Sequence, residues 1–452
     1  MSSQDITGSG HPAAADPTSA MRRRVVMAST LGNAFEWFDY GIFGMFAPII
    51  SKLFFPASSE VTSMLLTFAT FAVAFAMRPL SGVLFGLYAD RLGRKRALTL
   101  MIIMMAVGTG MIGLLPTYAA IGVAAPLLMV VARLIQGISV GGEFANATAM
   151  LVEYAPRNRR GYYGSFQMVS QALGFTVGAL LAYLATTYAS PAALEGWGWR
   201  LPFLLGILIG PFGYWLRSNI DETPEFQRYL QSMQRPANTP LIELFTVHPR
   251  ELVVGFCIVV MGTVSYYVML LYIPIYAVRQ LGMPMSGAQF SSVLSTVLIV
   301  IFCPFAGSLS DRIGRRKIVL PAAIIYAVVV WVAVHQLLAE PSLGRLIIAQ
   351  MATSLVMAFL WGPTPVMLME LLPVGVRSTG VGLIYNVAVA LFGGLAPFIV
   401  TWLIAATGDK ASPAYYVAFS ALVGVFGLLL MRERPETTAV SGGNPSTRLR
   451  PE

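Results

Sequence analysis

Charge is scarce in this 452-residue chain, at 11% of residues against 56% hydrophobic ones. Soluble domains average about 25% charged. A chain this long could not cover a water-facing surface with so little charge, so a bilayer is the expected solvent. Cysteine is nearly absent. Cys257 and Cys303 both lie in apolar runs, far apart, and fit no metal spacing, so they read as small core residues. Histidine is equally sparse, and His11, His248 and His335 are too scattered to imply a metal or catalytic cluster. Residues 1–20 are polar and lack an apolar signal core. The triplet Arg22, Arg23, Arg24 precedes an apolar run carrying two acids, which is wrong for a cleavable signal and right for the inner flank of a first membrane helix.

What is present is a succession of apolar runs. A membrane helix needs about 20 mostly apolar residues. Twelve such runs can be marked, at 25–50, 61–87, 97–117, 123–153, 162–188, 199–217, 251–280, 287–309, 318–339, 345–371, 378–407 and 412–431. The expected fold is therefore an all-α membrane protein of twelve transmembrane helices in two six-helix bundles. Its expected parts are a tail at 1–24, a bundle at 25–217, a connector at 218–250, a second bundle at 251–431 and a tail at 432–452. With both termini in the cytoplasm, the inner segments hold 23 of the 30 Lys and Arg residues. The net charge of +9 thus reads as a positive-inside topology signal, and no nucleic-acid partner is expected.

The two halves repeat. GLYADRLGRKR at 86–96 recurs as GSLSDRIGRRK at 307–317, an offset of 221 residues. Glu153, Pro156 and Arg160 recur as Glu370, Pro373 and Arg377 with the same internal spacing. Both copies run in the same direction, as parallel six-helix repeats do. The 86–96 segment resembles the loop between the second and third helices of the major facilitator superfamily, and the resemblance extends over the whole chain. It implies alternating access, with the two clusters latching the inner face when the carrier is open outward. The latch residues are then Asp90, Arg91, Arg94, Glu153 and Arg160 in the first half, and Asp311, Arg312, Arg315, Glu370 and Arg377 in the second. Arg94 is expected to reach Glu153, and Arg315 to reach Glu370. Gly82 and Gly86 form a small-xxx-small pair that lets helices approach.

Depth along each helix, at about 1.5 Å per residue, locates the charges within the membrane. Glu36, Asp39, Arg78, Arg133 and Glu143 all fall roughly 15 to 21 Å from the inner face of a ~30 Å core. Charges near the midplane are expensive unless paired or wetted, so they mark a functional site or structural ion pairs. No histidine lies at that depth, so a carboxylate must carry the coupling proton. Burial favours a neutral carboxylic acid and a nearby arginine favours its ionised form, so an arginine swinging toward and away from Asp39 would load and release a proton. Asp39 and Arg133 match in depth. They resemble the acid–arginine pair on the first and fourth helices of proton-coupled sugar transporters. Glu36, one turn below, and then Glu143 are the competing proton carriers.

GNAFEWFDYGIFG (32–44), FAMRPLSGVLFG (75–86), RLIQGISVGGEF (133–144) and WGWRLPF (197–203) resemble the metabolite–proton symporters, a group with carriers for 2-oxoglutarate, citrate, shikimate, and proline with glycine betaine. SYYVMLLYIPIY (265–276) and DETPEF (221–226) look most like the proline/betaine branch, but the tail at 432–452 is short and lacks that branch's heptads. The fifth helix reads QALGFTVGALLA, without the proline-bearing glycine motif of drug–proton antiporters. Tyr266, Tyr267, Tyr385, Asn386 and Trp361 in the second half, with Trp37 and Tyr40 in the first, would cover a small solute whose carboxylate is held by Arg133 and Arg78. The same aromatics would also suit a quaternary ammonium. The expected function is proton-coupled uptake of a small carboxylate-bearing metabolite, such as a di- or tricarboxylate. The alternative is symport of proline- or betaine-type compatible solutes. No enzyme activity, metal or cofactor beyond the proton is expected, since no paired histidines, nucleophile elbow or phosphate loop stands out. A channel is disfavoured by the repeat and its two latches. The expected setting is a bacterial inner membrane, with a monomeric multi-pass chain whose termini are cytoplasmic.

Overall fold

The computed structural model describes residues 19–82, 84–85, 94–141, 143–208, 210–211, 240–373 and 376–432. Gly86, Asp90 and Arg91, the side chain of Arg94, most of the connector and most of both tails lie outside the described residues. Among those described, every regular element is a helix.

Among the described residues, nine helical stretches are long and apolar enough to cross a membrane. They are span 2 (Glu60–Gly82), span 4 (Ala124–Glu153), span 5 (Arg157–Tyr188), span 7 (Pro249–Leu281), span 8 (Met285–Ile313), span 9 (Arg315–Ala339), span 10 (Leu343–Leu371), span 11 (Arg377–Thr407) and span 12 (Ser412–Leu430). Three further helices fill the remaining expected positions. Span 1 is Ser19–Met45 continued by Ala47–Phe54, span 3 is Arg94–Leu114, and span 6 opens with Leu201–Gly206. Span 1 is helical from Ser19, the first described residue, so the basic triplet is part of a helix. A short helix, Pro240–Val247, occupies the end of the expected connector.

Helix ends follow local chemistry. Ser59, Ser190 and Ser342 each accept a backbone N–H from the first turn that follows. Gly282 ends span 7 at φ +67°, a conformation that costs other residues strain. Large apolar side chains such as Leu127, Val131, Ile301, Phe305, Ile324, Val328, Leu422 and Phe426 face outward. Asp39, Arg78, Arg133, Gln136, Gln171 and Gln350 are buried. Polar inside and apolar outside is the arrangement a bilayer demands.

Two seams join the halves. Span 5 packs along span 8, and span 2 packs along span 11. Adding six to one pair yields the other, as a two-fold relation between six-helix repeats requires. At the first seam Gly161 and Gly307 meet backbone to backbone, and a Cβ on either would fall 2.4 Å from the other's carbonyl oxygen.

Several spans are broken near their middles. Span 4 appears in the sequence as one continuous run, but it divides between Ala124–Ile138 and Glu143–Glu153. The cause is Gly141, where a Cβ would sit 2.3 Å from the Gly82 nitrogen, so the two backbones can touch only at glycine. The freed backbone groups are satisfied by side chains. Gly141 N–H donates to Ser81 Oγ at 2.9 Å, and Ser81 donates to the Ile138 carbonyl at 2.5 Å. Such repair is what allows irregular backbone inside a membrane. Span 10 breaks at Gly362–Pro363, where its prolines predict a break. Spans 7 and 11 each pass through a π-helical turn, Tyr267–Tyr272 and Val389–Gly394, a distortion common at functional sites.

Candidate functional site

Span 1 brings two acids into the interior one turn apart, and each takes a different partner. Arg78 of span 2 donates from Nη2 to Glu36 Oε1 at 3.4 Å, with both side chains almost wholly buried. The Arg78 guanidinium carbon lies 4.7 Å from the ring centres of Tyr40 and Phe75 and 5.6 Å from that of Trp37. Cation–π attraction of this kind strengthens once water is excluded.

Asp39 has no direct ion pair with Arg133. Its Oδ1 accepts from Thr109 Oγ1 of span 3 at 2.6 Å, and its Oδ2 accepts from Gln136 Nε2 of span 4 at 2.5 Å. Gln136 Nε2 also donates to Thr109 Oγ1 at 3.1 Å, while Gln136 Oε1 accepts from Arg133 Nη1 at 2.9 Å. A neutral amide is therefore interposed between the acid and the arginine. Arg133 lies over Phe43, 3.5 Å from the ring centre. Its Nε and Nη2 have no hydrogen-bond partner among the described residues, and neither does Arg78 Nε. Glu143, the fifth charge, is half-buried at the start of the second segment of span 4.

Beside these charges lies a small cavity between the halves. Trp37, Tyr266, Tyr267, Trp361 and Tyr385 line it, joined by Gln171 and Thr263. Tyr266 stacks on Trp361 at 4.7 Å and meets Trp37 edge-on at 5.3 Å. The hydroxyls of Tyr266, Tyr267 and Thr263 have no hydrogen-bond partner among the described residues. Gln171 donates to Tyr385 Oη at 3.3 Å across the seam. Tyr40 is buried against Arg78, and neither it nor Arg78 nor Arg133 is among the residues that line the cavity. Asn386 also stands apart from the cavity. Its Nδ2 donates to the Gly141 carbonyl at 2.7 Å and supports the break in span 4.

Contacts between halves close both sides of this cavity. On the side where spans 4, 8 and 10 end, the Asp311 carboxylate accepts from Gly161 N–H at 2.7 Å and Tyr162 N–H at 3.0 Å, capping the start of span 5. An anion there also meets the positive end of the helix dipole. Arg315 holds the cap, with Nη2 3.4 Å from Asp311 Oδ1 and Nε 2.8 Å from Glu370 Oε2, the latter close but off the N–H axis. Arg377 donates to the Leu372 carbonyl at 3.2 Å, and Arg312 is exposed. Arg160 opens the helix of span 5 beside this cluster, and Glu153 ends span 4. Asp90 and Arg91 lie outside the described residues. On the opposite side Arg279 of span 7 donates to the Pro48 carbonyl at 2.8 Å and lies 3.4 Å from Glu60.

Gln136, Thr109, Gln171 and the helix cap formed by Asp311 are not singled out by the sequence pattern. Gln136 carried a usable signal, since it lies three residues after Arg133 on the same helical face. Thr109 carried none beyond its mid-helix depth.

The sugar (and other) transporter family matches residues 25–241 and again 228–441. The citrate-proton symporter of Klebsiella pneumoniae is 36% identical over 90% of this chain and 91% of its own length. The proline/betaine transporter of Escherichia coli K12 is 32% identical over 91% of this chain and 83% of its own. Among solved structures, a D-xylose-proton symporter superposes with a TM-score of 0.70 at 20% identity, covering 92% of this chain and 98% of that one. A second structure of a major facilitator superfamily proton:xylose symporter gives 0.74 at 18% identity, covering 91% and 95%. The likeness to the xylose symporters identifies the twelve-helix fold.

Proposed function

This chain belongs to the sugar (and other) transporter family of the major facilitator superfamily, and from that premise we propose that it takes up a small carboxylate-bearing metabolite together with a proton. It is a multi-pass membrane transporter that works by symport. The observation carrying the substrate reading is the buried guanidinium pair with donors to spare: Arg78 Nε and Arg133 Nε and Nη2 lack hydrogen-bond partners among the described residues. Leaving a charged donor unsatisfied is costly, and a carboxylate answers a guanidinium with a bidentate pair that a hydroxyl cannot match. With all five interior groups ionised, two arginines and three acids leave one net negative charge. Protonating one acid neutralises the site and makes room for an incoming anion. Proton and anion then favour each other's binding, as symport requires.

In this reading Asp39 carries the proton, Glu36 holds Arg78, and the aromatic cavity covers the remainder of the solute. The bundles at 25–217 and 251–431 rock about it, with the Asp311–Arg315–Glu370 cluster and its first-half counterpart closing the cytoplasmic side. The setting is the bacterial inner membrane, with cytoplasmic termini, a monomeric chain and no nucleic-acid partner. A second reading has its own support. Trp37, Tyr266, Tyr267 and Trp361 form aromatic walls suited to a quaternary ammonium, and relatives at 32% identity carry proline and betaine in their names.

Purified protein in proteoliposomes, given an inside-alkaline pH gradient and a panel of labelled citrate, 2-oxoglutarate, glycine betaine, proline and xylose, tests both. Accumulation of citrate or 2-oxoglutarate that collapses with a protonophore is the expected result. Betaine or proline uptake that rises with osmotic strength favours the second reading. Transport of xylose uninhibited by any carboxylate refutes both.

A further inference from the structure

We infer that Thr109 is the hydroxyl partner that lets Asp39 gain and lose a proton without moving, while Gln136 fixes the carboxylate for that exchange. The inference rests on the reading that Asp39 carries the coupled proton. The hydrogen-bond inventory around Asp39 supports it.

Thr109 Oγ1 lies 2.6 Å from Asp39 Oδ1 and 2.8 Å from the carbonyl of Met105, one turn back on its own helix. It also accepts from Gln136 Nε2 at 3.1 Å. A threonine has one O–H, which can serve only one of the two acceptors at a time. When Asp39 is ionised, that hydrogen points to Oδ1. When a proton arrives on Oδ1, the acid becomes the donor of the same Asp39–Thr109 bond. The threonine hydrogen then turns to Met105, whose carbonyl already stands at bonding distance. One new O–H bond forms on Asp39, one hydroxyl rotates, and no heavy atom needs to move. Both protonation states are fully bonded at this oxygen.

Gln136 keeps the exchange in register. One of its amide hydrogens serves Asp39 Oδ2 and the other serves Thr109 Oγ1, while its carbonyl accepts from Arg133. All three of these bonds persist in both states. The amide also separates Arg133 from the carboxylate, so the proton can be held without the arginine swinging away. The other charged and titratable groups near Asp39 are few. Arg133 faces it from span 4, and Tyr40 and Glu36 share its helix. Arg78 of span 2 is engaged by Glu36, and Tyr267 of span 7 faces the Arg78 side. Thr109 and Gln136 are thus positioning residues for the proton site.

The test is an infrared pH titration of the full-length protein in lipid, following the carboxylic-acid carbonyl band, for wild type, Asp39→Asn, Thr109→Val and Thr109→Ser. The band is expected to titrate in wild type and to vanish in Asp39→Asn. Valine matches threonine in shape but can neither donate nor accept. It removes a charge-assisted bond from the carboxylate and a weaker neutral bond from the acid, so the net change favours the acid. The midpoint should move to higher pH by about one unit, roughly a tenfold change in proton affinity. Serine keeps the hydroxyl and should restore the wild-type midpoint. A Thr109→Val midpoint equal to wild type overturns the inference while leaving Asp39 as the proton carrier. A band that survives Asp39→Asn overturns the assignment to Asp39 and this inference with it.

Discussion

Replacing Asp311 by asparagine should unlatch the side of the molecule on which spans 4, 8 and 10 end. The carboxylate accepts two backbone N–H groups at the start of span 5, at 2.7 and 3.0 Å, across the seam between halves. Hydrogen bonds to charged groups contribute about 1.5–3 kcal/mol each. An anion at a helix start adds about 0.3–1 kcal/mol, and somewhat more where partly buried. Asparagine keeps one carbonyl acceptor but presents an NH2 group where the second oxygen stood, and it loses the charge that Arg315 holds at 3.4 Å. Losing one bond of the pair and the dipole contribution comes to about 2 kcal/mol. At 1.4 kcal/mol per tenfold, that is roughly a 30-fold shift in the open-to-closed ratio of this side. Spin labels at Asn158 and Lys317, both exposed and on opposite sides of the seam, would report it by pulsed dipolar distance measurement in lipid nanodiscs. The longer-distance population should grow by that factor, and uphill uptake should fall more than substrate binding does. An unchanged distance distribution would refute the view that this cap holds the halves together.

Asp39→Asn should abolish uphill uptake and retain exchange of internal for external substrate, because an amide cannot carry the proton yet still accepts from Thr109. If instead Glu36→Gln shows that phenotype and Asp39→Asn concentrates substrate normally, the proton belongs to Glu36. Uptake should rise as external pH falls, since protonation of the carboxylate precedes anion binding, and a flat profile from pH 5 to 8 in vesicles would argue against symport. Arg133→Lys should reduce transport by about 10- to 100-fold despite its retained charge. Lysine loses the planar face over Phe43 and the second row of donors, and wild-type rates in this variant would exclude a guanidinium-specific role.

The sequence by itself determined the class of fold. Apolar runs of bilayer length, basic residues gathered at alternate ends and a motif repeated at an offset of 221 are one-dimensional signals, because helix length and charge placement depend on the membrane more than on neighbouring helices. The depths of Glu36, Asp39, Arg78 and Arg133 were legible for the same reason, since rise per residue converts position into distance. The expected pairing of Arg315 with Glu370 was also within reach, as each acid recurs with its base. Azimuth was not legible. Whether Asp39 meets Arg133 directly or through Gln136 depends on how spans 1, 3 and 4 rotate against one another, and that is decided by packing among many side chains. The break in span 4 depends on Gly141 finding Gly82 of another helix, a contact no local window contains. Asn386 illustrates the same limit. Its depth and polarity suggest a ligand-facing residue, but its neighbours make it a support for that break. Depth comes from the chain alone, whereas partner and direction exist only once the helices are packed.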